Sequence, residues 1–563
     1  MSTSHAPLPS PSPSDSGDEQ SPLLSQLELN ISDKRADISA PYERKLGDSE
    51  LSYYLPGRAT GVNDMYLHLG LTAPERLMHH DRVLSVWTIL RLRHPLLASH
   101  VVMDDYENVR FVYIPTVSSC DAKIRSAEQL RWECKGKDGE ICVELIDDYL
   151  NGPRTLSNSR LSFLVISRTP NVDPYPSPPG TPQSDASGHF LGPWEGERVR
   201  SYEWLMCAAH FIGDGIALHN FANDFFTLLG APLSDHELHD LVVYEWETRW
   251  RTPPSDGVLL PPSFEESIPS PKSRMQDVVG HIDFQALLQK QIGGHSFPRC
   301  ANPVRHTIVP TLSFDEGTTK AMLNKCKAEN VSIAAAVFAI CNIVWARMSL
   351  RDRQTLPTMV YAAMNIRPSL MPRPKNDSYW FLAVGYFNVV LPSFIPSGCD
   401  TRRTFWHRAR SAKTQIIRAA TTPMLLSRCR EMSIKRGRLS RAFAHEDDEK
   451  ENGAWVGPRT QPKALAPDAG AASQSPSTAL LGLSMLGNLD AVYKHATFAD
   501  IKLQTLTTGS RQRHGGMLLF GYTFAGKLWV SLGYDENGFE PKPVRLFWDN
   551  MISAMHEFLL ESS

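Results

Sequence analysis

The chain has 563 residues, 42% of them hydrophobic and 21% charged, which is enough to build two lobes with large cores. Its formal net charge of −3, from 58 basic and 61 acidic side chains, gives no reason to expect nucleic acid or an anionic membrane as a partner. The nine cysteines are an odd number, scattered and without C-x-x-C pairs, so they read as reduced thiols and not as a disulfide framework.

Residues 1–39 are polar, rich in Ser and Pro, and expected to be a disordered tail. No apolar stretch resembling a secretion signal is seen there, and the chain does not end in a peroxisomal S-K-L address, so a cytoplasmic location is expected. An N-terminal lobe is expected over 40–250. Val83, Val86, Trp87 and Leu90 fall at helical spacing, and strand-like runs follow at Ala98–Met103 and Val109–Ile114. Leu161–Ser167 and Tyr202–Ala209 read as buried strands. Between them, 169–196 is rich in Pro, Gly and Ser and is expected to be a surface insertion on a hairpin-like connection. Residues 251–303 read as a crossover linker, and 304–563 as the C-terminal lobe. In that lobe Ile333–Ala346, behind an N-cap at Ser332, is too short to span a bilayer and reads as a buried core helix. A second insertion is expected over 437–477, which begins with charge and continues in Pro, Ala, Gly and Ser. An amphipathic helix is expected around Phe547–Leu560.

The stretch that carries chemistry is His210-Phe-Ile-Gly213-Asp214-Gly215. It follows a buried-strand pattern. It precedes Leu218, Phe221, Ala222, Phe225 and Leu229, which are spaced as one face of a helix. His210 therefore stands where a strand runs out, and Asp214 in the turn that opens a helix. Gly213 and Gly215 are expected to let the backbone turn sharply between them. A neutral imidazole so held can take a proton from an alcohol near neutral pH. A buried carboxylate at such a turn needs a cationic partner, and Asp214 is expected to serve the loop and not the substrate. Strand alternation puts Cys207 on the opposite face from His210, so the thiol is not expected to share its cleft.

Other patterns are weaker. His236-Glu-Leu-His239 has its histidines three apart where a zinc helix needs four, and no metal is expected. Gly482-Leu-Ser484-Met-Leu486 lacks the second glycine of a nucleophile elbow. Arg428, Arg430, Lys435, Arg436, Arg438 and Arg441 form a basic run. It reads either as a solvated face or as an attraction for phosphates.

The H-x-x-x-D-G stretch resembles the motif of the CoA-dependent acyltransferase superfamily, which includes chloramphenicol acetyltransferase, plant BAHD acyltransferases and peptide-synthetase condensation domains. Arg93-His94-Pro95-Leu96-Leu97 resembles the entry of the N-terminal lobe in condensation-type folds. Asn365-Ile-Arg367-Pro368 and Gly385-Tyr-Phe-Asn388 resemble BAHD segments, the latter without its second glycine. Tyr42–Asp48, Gly61–His68, Leu483–Asp490 and Arg511–Asp535 are similar to stretches of fungal trichothecene 15-O-acetyltransferase-like proteins. The D-F-G-W-G motif of plant BAHD enzymes is absent, and Ala209 stands where a condensation domain has a second histidine.

The resemblance implies an α/β fold of two similar lobes, each a mixed β-sheet covered by helices, with an active-site tunnel between them. It implies an O-acyltransferase that moves an acyl group, acetyl above all, from acyl-CoA to a hydroxyl of a fungal secondary metabolite such as a sesquiterpenoid alcohol. His210 would be the general base, with no covalent acyl-enzyme, no permanently bound cofactor and no metal. Asp214 would pair with Arg367, and Ser484 and Asn388 are the candidate oxyanion donors. A monomer is expected. The alternatives left open are a serine-type esterase using Ser484 and a non-catalytic ligand-binding protein on the same fold.

Overall fold

The computed structural model describes residues 41–134, 141–168, 198–251, 260–302, 304–349, 355–370, 378–398, 400–457 and 476–561. The expected N-terminal tail and the insertion at 169–196 lie outside the described residues.

Two mixed sheets organise the described chain, each with its own apolar core. The first has five strands in the order Lys502–Ser510, Met65–Pro74, Val199–Ala208, Ser162–Arg168 and Leu130–Cys134. Its pairs are antiparallel except the last. Ser162–Arg168 and Val199–Ala208 pair antiparallel as neighbours. The helices His80–Arg93 and Gly215–Leu229 bury their apolar faces in this core, where Trp87 and Phe221 meet edge to face at 5.7 Å.

The second sheet runs Thr311–Phe314, Lys527–Asp535, Met517–Phe524, Leu481–Asn488, Thr358–Asn365 and Val384–Leu391, with Thr307–Ile308 also paired to Lys527–Asp535. Its three central strands, Met517–Phe524, Leu481–Asn488 and Thr358–Asn365, are mutually parallel, so their carboxyl ends open on one side. Val360, Ala362, Leu481, Leu483, Leu519 and Val389 point into the second core, under the helix Ile333–Met348. That helix starts where expected: the Ser332 hydroxyl accepts from the Ala335 amide at 3.2 Å.

Chain order and lobe membership part company in two places. The strand Lys502–Ser510, expected in the C-terminal lobe, is an edge of the first sheet, where it pairs with Met65–Pro74. The insertion expected from 437 begins later, because Leu425–Glu451 is one helix of 27 residues. It docks on the first-lobe helix Asp48–Gly57 through Arg441 to Asp48 at 2.8 Å, the Ser49 and Ser433 hydroxyls at 2.8 Å, and Ser440 to the Leu51 carbonyl. Its buried face is Cys429, Ser433, Gly437, Ser440 and Ala444, which are small residues at helical spacing. They allow close approach but contribute little to an apolar pattern, which is why the sequence reads there as a loop. Residues 458–475 lie outside the described residues. The expected linker over 251–303 contains a short helix, Phe264–Ser267, and a long one, Arg274–Gln289.

Candidate active site

The strand Val199–Ala208 ends at a single 3-10 turn, His210–Ile212, and the helix Gly215–Leu229 starts three residues later. His210 Nδ1 lies 3.0 Å from the Gly213 carbonyl oxygen. A carbonyl only accepts, so Nδ1 carries the proton and Nε2 keeps its lone pair. Burial holds the imidazole pKa below its usual value, with a smaller contribution in the same direction from the Arg436 guanidinium.

Asp214 is 3% exposed and fully engaged. Its Oδ1 caps the helix, accepting from the Ile216 and Ala217 amides at 3.1 and 3.2 Å. Arg367 Nη1 donates to the same oxygen at 2.8 Å, and the Ala383 amide donates to Oδ2 at 2.9 Å. Arg367 follows the carboxyl end of Thr358–Asn365, lies over the Phe381 ring at 4.6 Å and also donates to the Phe381 carbonyl. The carboxylate thus joins the first lobe's turn to the end of a second-lobe strand.

The described residues just before Ala383 are held in turn. The hydroxyl of Ser378 meets His94 Nδ1 at 2.9 Å, and Tyr379 donates to Asp224 at 2.7 Å. Trp380 is fully buried against Phe221. The His94-Pro95 corner is therefore a docking point for the second lobe.

The two glycines do not act as the sequence suggests. Gly213 has φ −174°, extended backbone that any residue adopts, and Gly215 is already helical. What Gly213 provides is room: a Cβ there would stand 3.2 Å from Trp380 Nε1 and 3.4 Å from the Ala217 Cβ.

Ser484 and Asn388 stand on the face of the second sheet that points away from its core, as do Tyr361 and Tyr386. The pairing Tyr361–Gly482 and Tyr361–Asn388 places them in neighbouring rows. Leu486, at a bulge two residues beyond Ser484, comes within 3.4 Å of where a Gly215 Cβ would be. Among the described residues no hydrogen bond joins Ser484 or Asn388 to His210. Cys207 is 1% exposed within the strand Val199–Ala208, which ends before His210, and burial pushes its thiol pKa up.

Sequence reasoning did not connect Tyr53, Tyr386 or Arg436 with His210. Tyr53, from the helix Asp48–Gly57, stacks on the imidazole with ring centres 4.1 Å apart. Its hydroxyl is hydrogen-bonded to that of Tyr386 on Val384–Leu391. Arg436, on the long helix, lies over both rings, 4.3 Å from Tyr386 and 5.3 Å from Tyr53. These three line a cleft with Ser49, Ser52, Leu382, Cys429 and Met432. The basic run is otherwise largely occupied: Arg428 pairs with Asp283, Arg441 with Asp48 and Glu107, and Arg430 with the carbonyl of Pro269. Only the Gly385-Tyr-Phe-Asn388 stretch held a signal that could have pointed to Tyr386.

No protein-family model and no curated protein matches the chain. Solved structures do. The trichothecene 15-O-acetyltransferase of Fusarium sporotrichioides superposes with a TM-score of 0.66 at 12% identity, covering 92% of this chain and 96% of that one. The condensation domain of the Monacolin K polyketide synthase gives 0.53 at 10% identity, over 93% and 99%. The epimerization domain from the third module of tyrocidine synthetase B gives 0.52 at 11% identity, over 92% and 98%. The chain has the two-lobed α/β fold that these acyltransferase and condensation-type proteins share.

Proposed function

We propose that the chain is an acyl-CoA-dependent O-acyltransferase with His210 as its general base. The observation that carries this reading is the state of His210. Its Nδ1–H is held on the Gly213 carbonyl, which leaves the lone pair on Nε2, and the ring stacks on Tyr53, which lines a cleft between the two lobes. Nε2 takes the proton of an acceptor hydroxyl as its oxygen attacks the thioester carbonyl. The C–O bond forms, the tetrahedral oxyanion collapses, and the C–S bond to CoA breaks. The proton held by His210 then goes to the departing thiolate. Ser484 and Asn388, on the open face of the second sheet, are the candidate donors to the oxyanion.

Direct transfer is favoured over a covalent acyl-enzyme at Ser484 or Cys207. Ser484 shares no hydrogen bond with the imidazole, and Cys207 is buried with its thiol pKa raised. The acceptor is a small hydroxylated metabolite and the acyl group is acetyl, by likeness to the acetyltransferase whose fold the chain shares. The test is acetyl-CoA turnover against a panel of sesquiterpenoid alcohols, in wild type and His210→Ala. CoA release that depends on the alcohol and falls about 10²–10⁴-fold in the variant is the expected result. Retention of most of the wild-type turnover by His210→Ala would overturn it.

A further inference from the structure

The helix Ile141–Asn151 packs on the first sheet, and a second histidine sits beneath it. His68, on Met65–Pro74, is completely buried. Its Nε2 lies 2.7 Å from Glu203 Oε2, on the neighbouring strand, and its Nδ1 lies 3.5 Å from Cys142 Sγ, on the helix. A carboxylate accepts, so Nε2 carries a proton and Nδ1 is the atom turned to the thiol. The order thiol–imidazole–carboxylate is the arrangement that activates a nucleophilic sulfur. Cys142 is partly exposed and His68 is buried, so of the two residues Cys142 is the one open to solvent.

A further polar group lies at the same place. Tyr66 is two residues before His68 on the same face. Its hydroxyl is buried, packs over Gly509 and lies near Cys142. Thr507, on Lys502–Ser510, puts its hydroxyl 3.3 Å from His68 Nδ1. The groups that face the thiol are thus His68 and Tyr66 from one strand, Thr507 from the edge strand and, through His68, Glu203 from the third.

We infer that Cys142 is a covalent modification site for soft carbon electrophiles of the α,β-unsaturated carbonyl class, activated by His68 and Glu203. The site holds what such an addition needs and no more. The Cys142 proton passes to His68 Nδ1, and the sulfur forms a bond to the β-carbon. The C=C π pair moves to the α-carbon, which takes the proton back from Nδ1. No leaving group, oxidant or reductant enters. Burial by itself would lower the His68 pKa. The hydrogen bonds to Cys142 and Glu203 outweigh it and raise the value, which makes Nδ1 a better proton acceptor.

The site is independent of the proposed transferase chemistry and is read without an activity assay. The full chain is treated with methyl vinyl ketone at pH 6, and adducts are located by peptide mass spectrometry. The exposed thiols Cys120 and Cys134 serve as internal references. Cys142 is expected to react at least tenfold faster than either, although it is less exposed. Glu203→Gln and His68→Asn should each remove that advantage and leave the rates at Cys120 and Cys134 unchanged. Either variant suffices if the other fails to fold. Overturning results are a wild-type Cys142 that reacts no faster than Cys120 and Cys134, or a folded variant of either kind that keeps the wild-type rate.

Discussion

Asp214→Ala removes one carboxylate and strands four donors: the amides of Ile216, Ala217 and Ala383 and the Arg367 guanidinium. Losing the helix cap alone costs about 1 kcal/mol. Breaking a buried ion pair by removing one member costs about 3–5 kcal/mol. Arg367 keeps its carbonyl partners and the Phe381 ring, which moves the second figure toward its lower end. About 4 kcal/mol is therefore expected for Asp214→Ala. About 3 kcal/mol is expected for Arg367→Ala, because Asp214 then retains three amide donors. The double variant should cost about 5 kcal/mol, leaving a coupling of about 2 kcal/mol. The assay is urea unfolding of the four proteins, followed by tryptophan fluorescence. Costs that add within about 0.5 kcal/mol would show that the two side chains act separately, and would refute the idea that this pair fixes the His210 turn across the lobes.

Three further outcomes follow from the same structure. Because burial holds His210 below its usual pKa, the acid limb of kcat/KM against pH should have its midpoint below 6.5, and a midpoint above 6.5 would exclude the buried imidazole as the base. His219 is fully buried and burial lowers its pKa to about 3, so between about pH 6.5 and 3 the unfolded chain binds a proton that the folded chain does not. Its contribution is intact above pH 6.5 and is lost as pH falls, by at most about 1.4 kcal/mol per pH unit; urea midpoints of wild type and His219→Leu should converge with acidification. Gly437→Ala would stabilise a free helix by about 1 kcal/mol, but a Cβ there would come within 2.7 Å of the Asp48 side chain. The substitution should lower the melting temperature, and an unchanged or raised value would refute the close packing of the two helices.

Much of the site is local and could be read from the sequence. The apolar run before His210 and the helical spacing after Asp214 dictate strand, turn and helix, because burial on two faces and on one stripe leave different periods in the chain. Asp214 at a helix start is a cap by its chemistry, and its burial demands a cation. The identity of that cation rested on a family likeness, not on spacing, since 153 residues separate Asp214 from Arg367.

What only the tertiary structure decided lies in contacts that leave no period. Tyr53, Tyr386 and Arg436 come from three separate elements and converge on His210 only because the long helix Leu425–Glu451 packs across the lobe boundary. Its docking face is made of small residues, so no hydrophobic stripe announces it. The edge strand Lys502–Ser510 belongs to the first sheet through backbone pairing, which is blind to side-chain type and therefore to sequence pattern. Gly213 looks like a turn residue in the sequence, but its backbone is extended, and the space it leaves is set by Trp380, a residue 167 positions away.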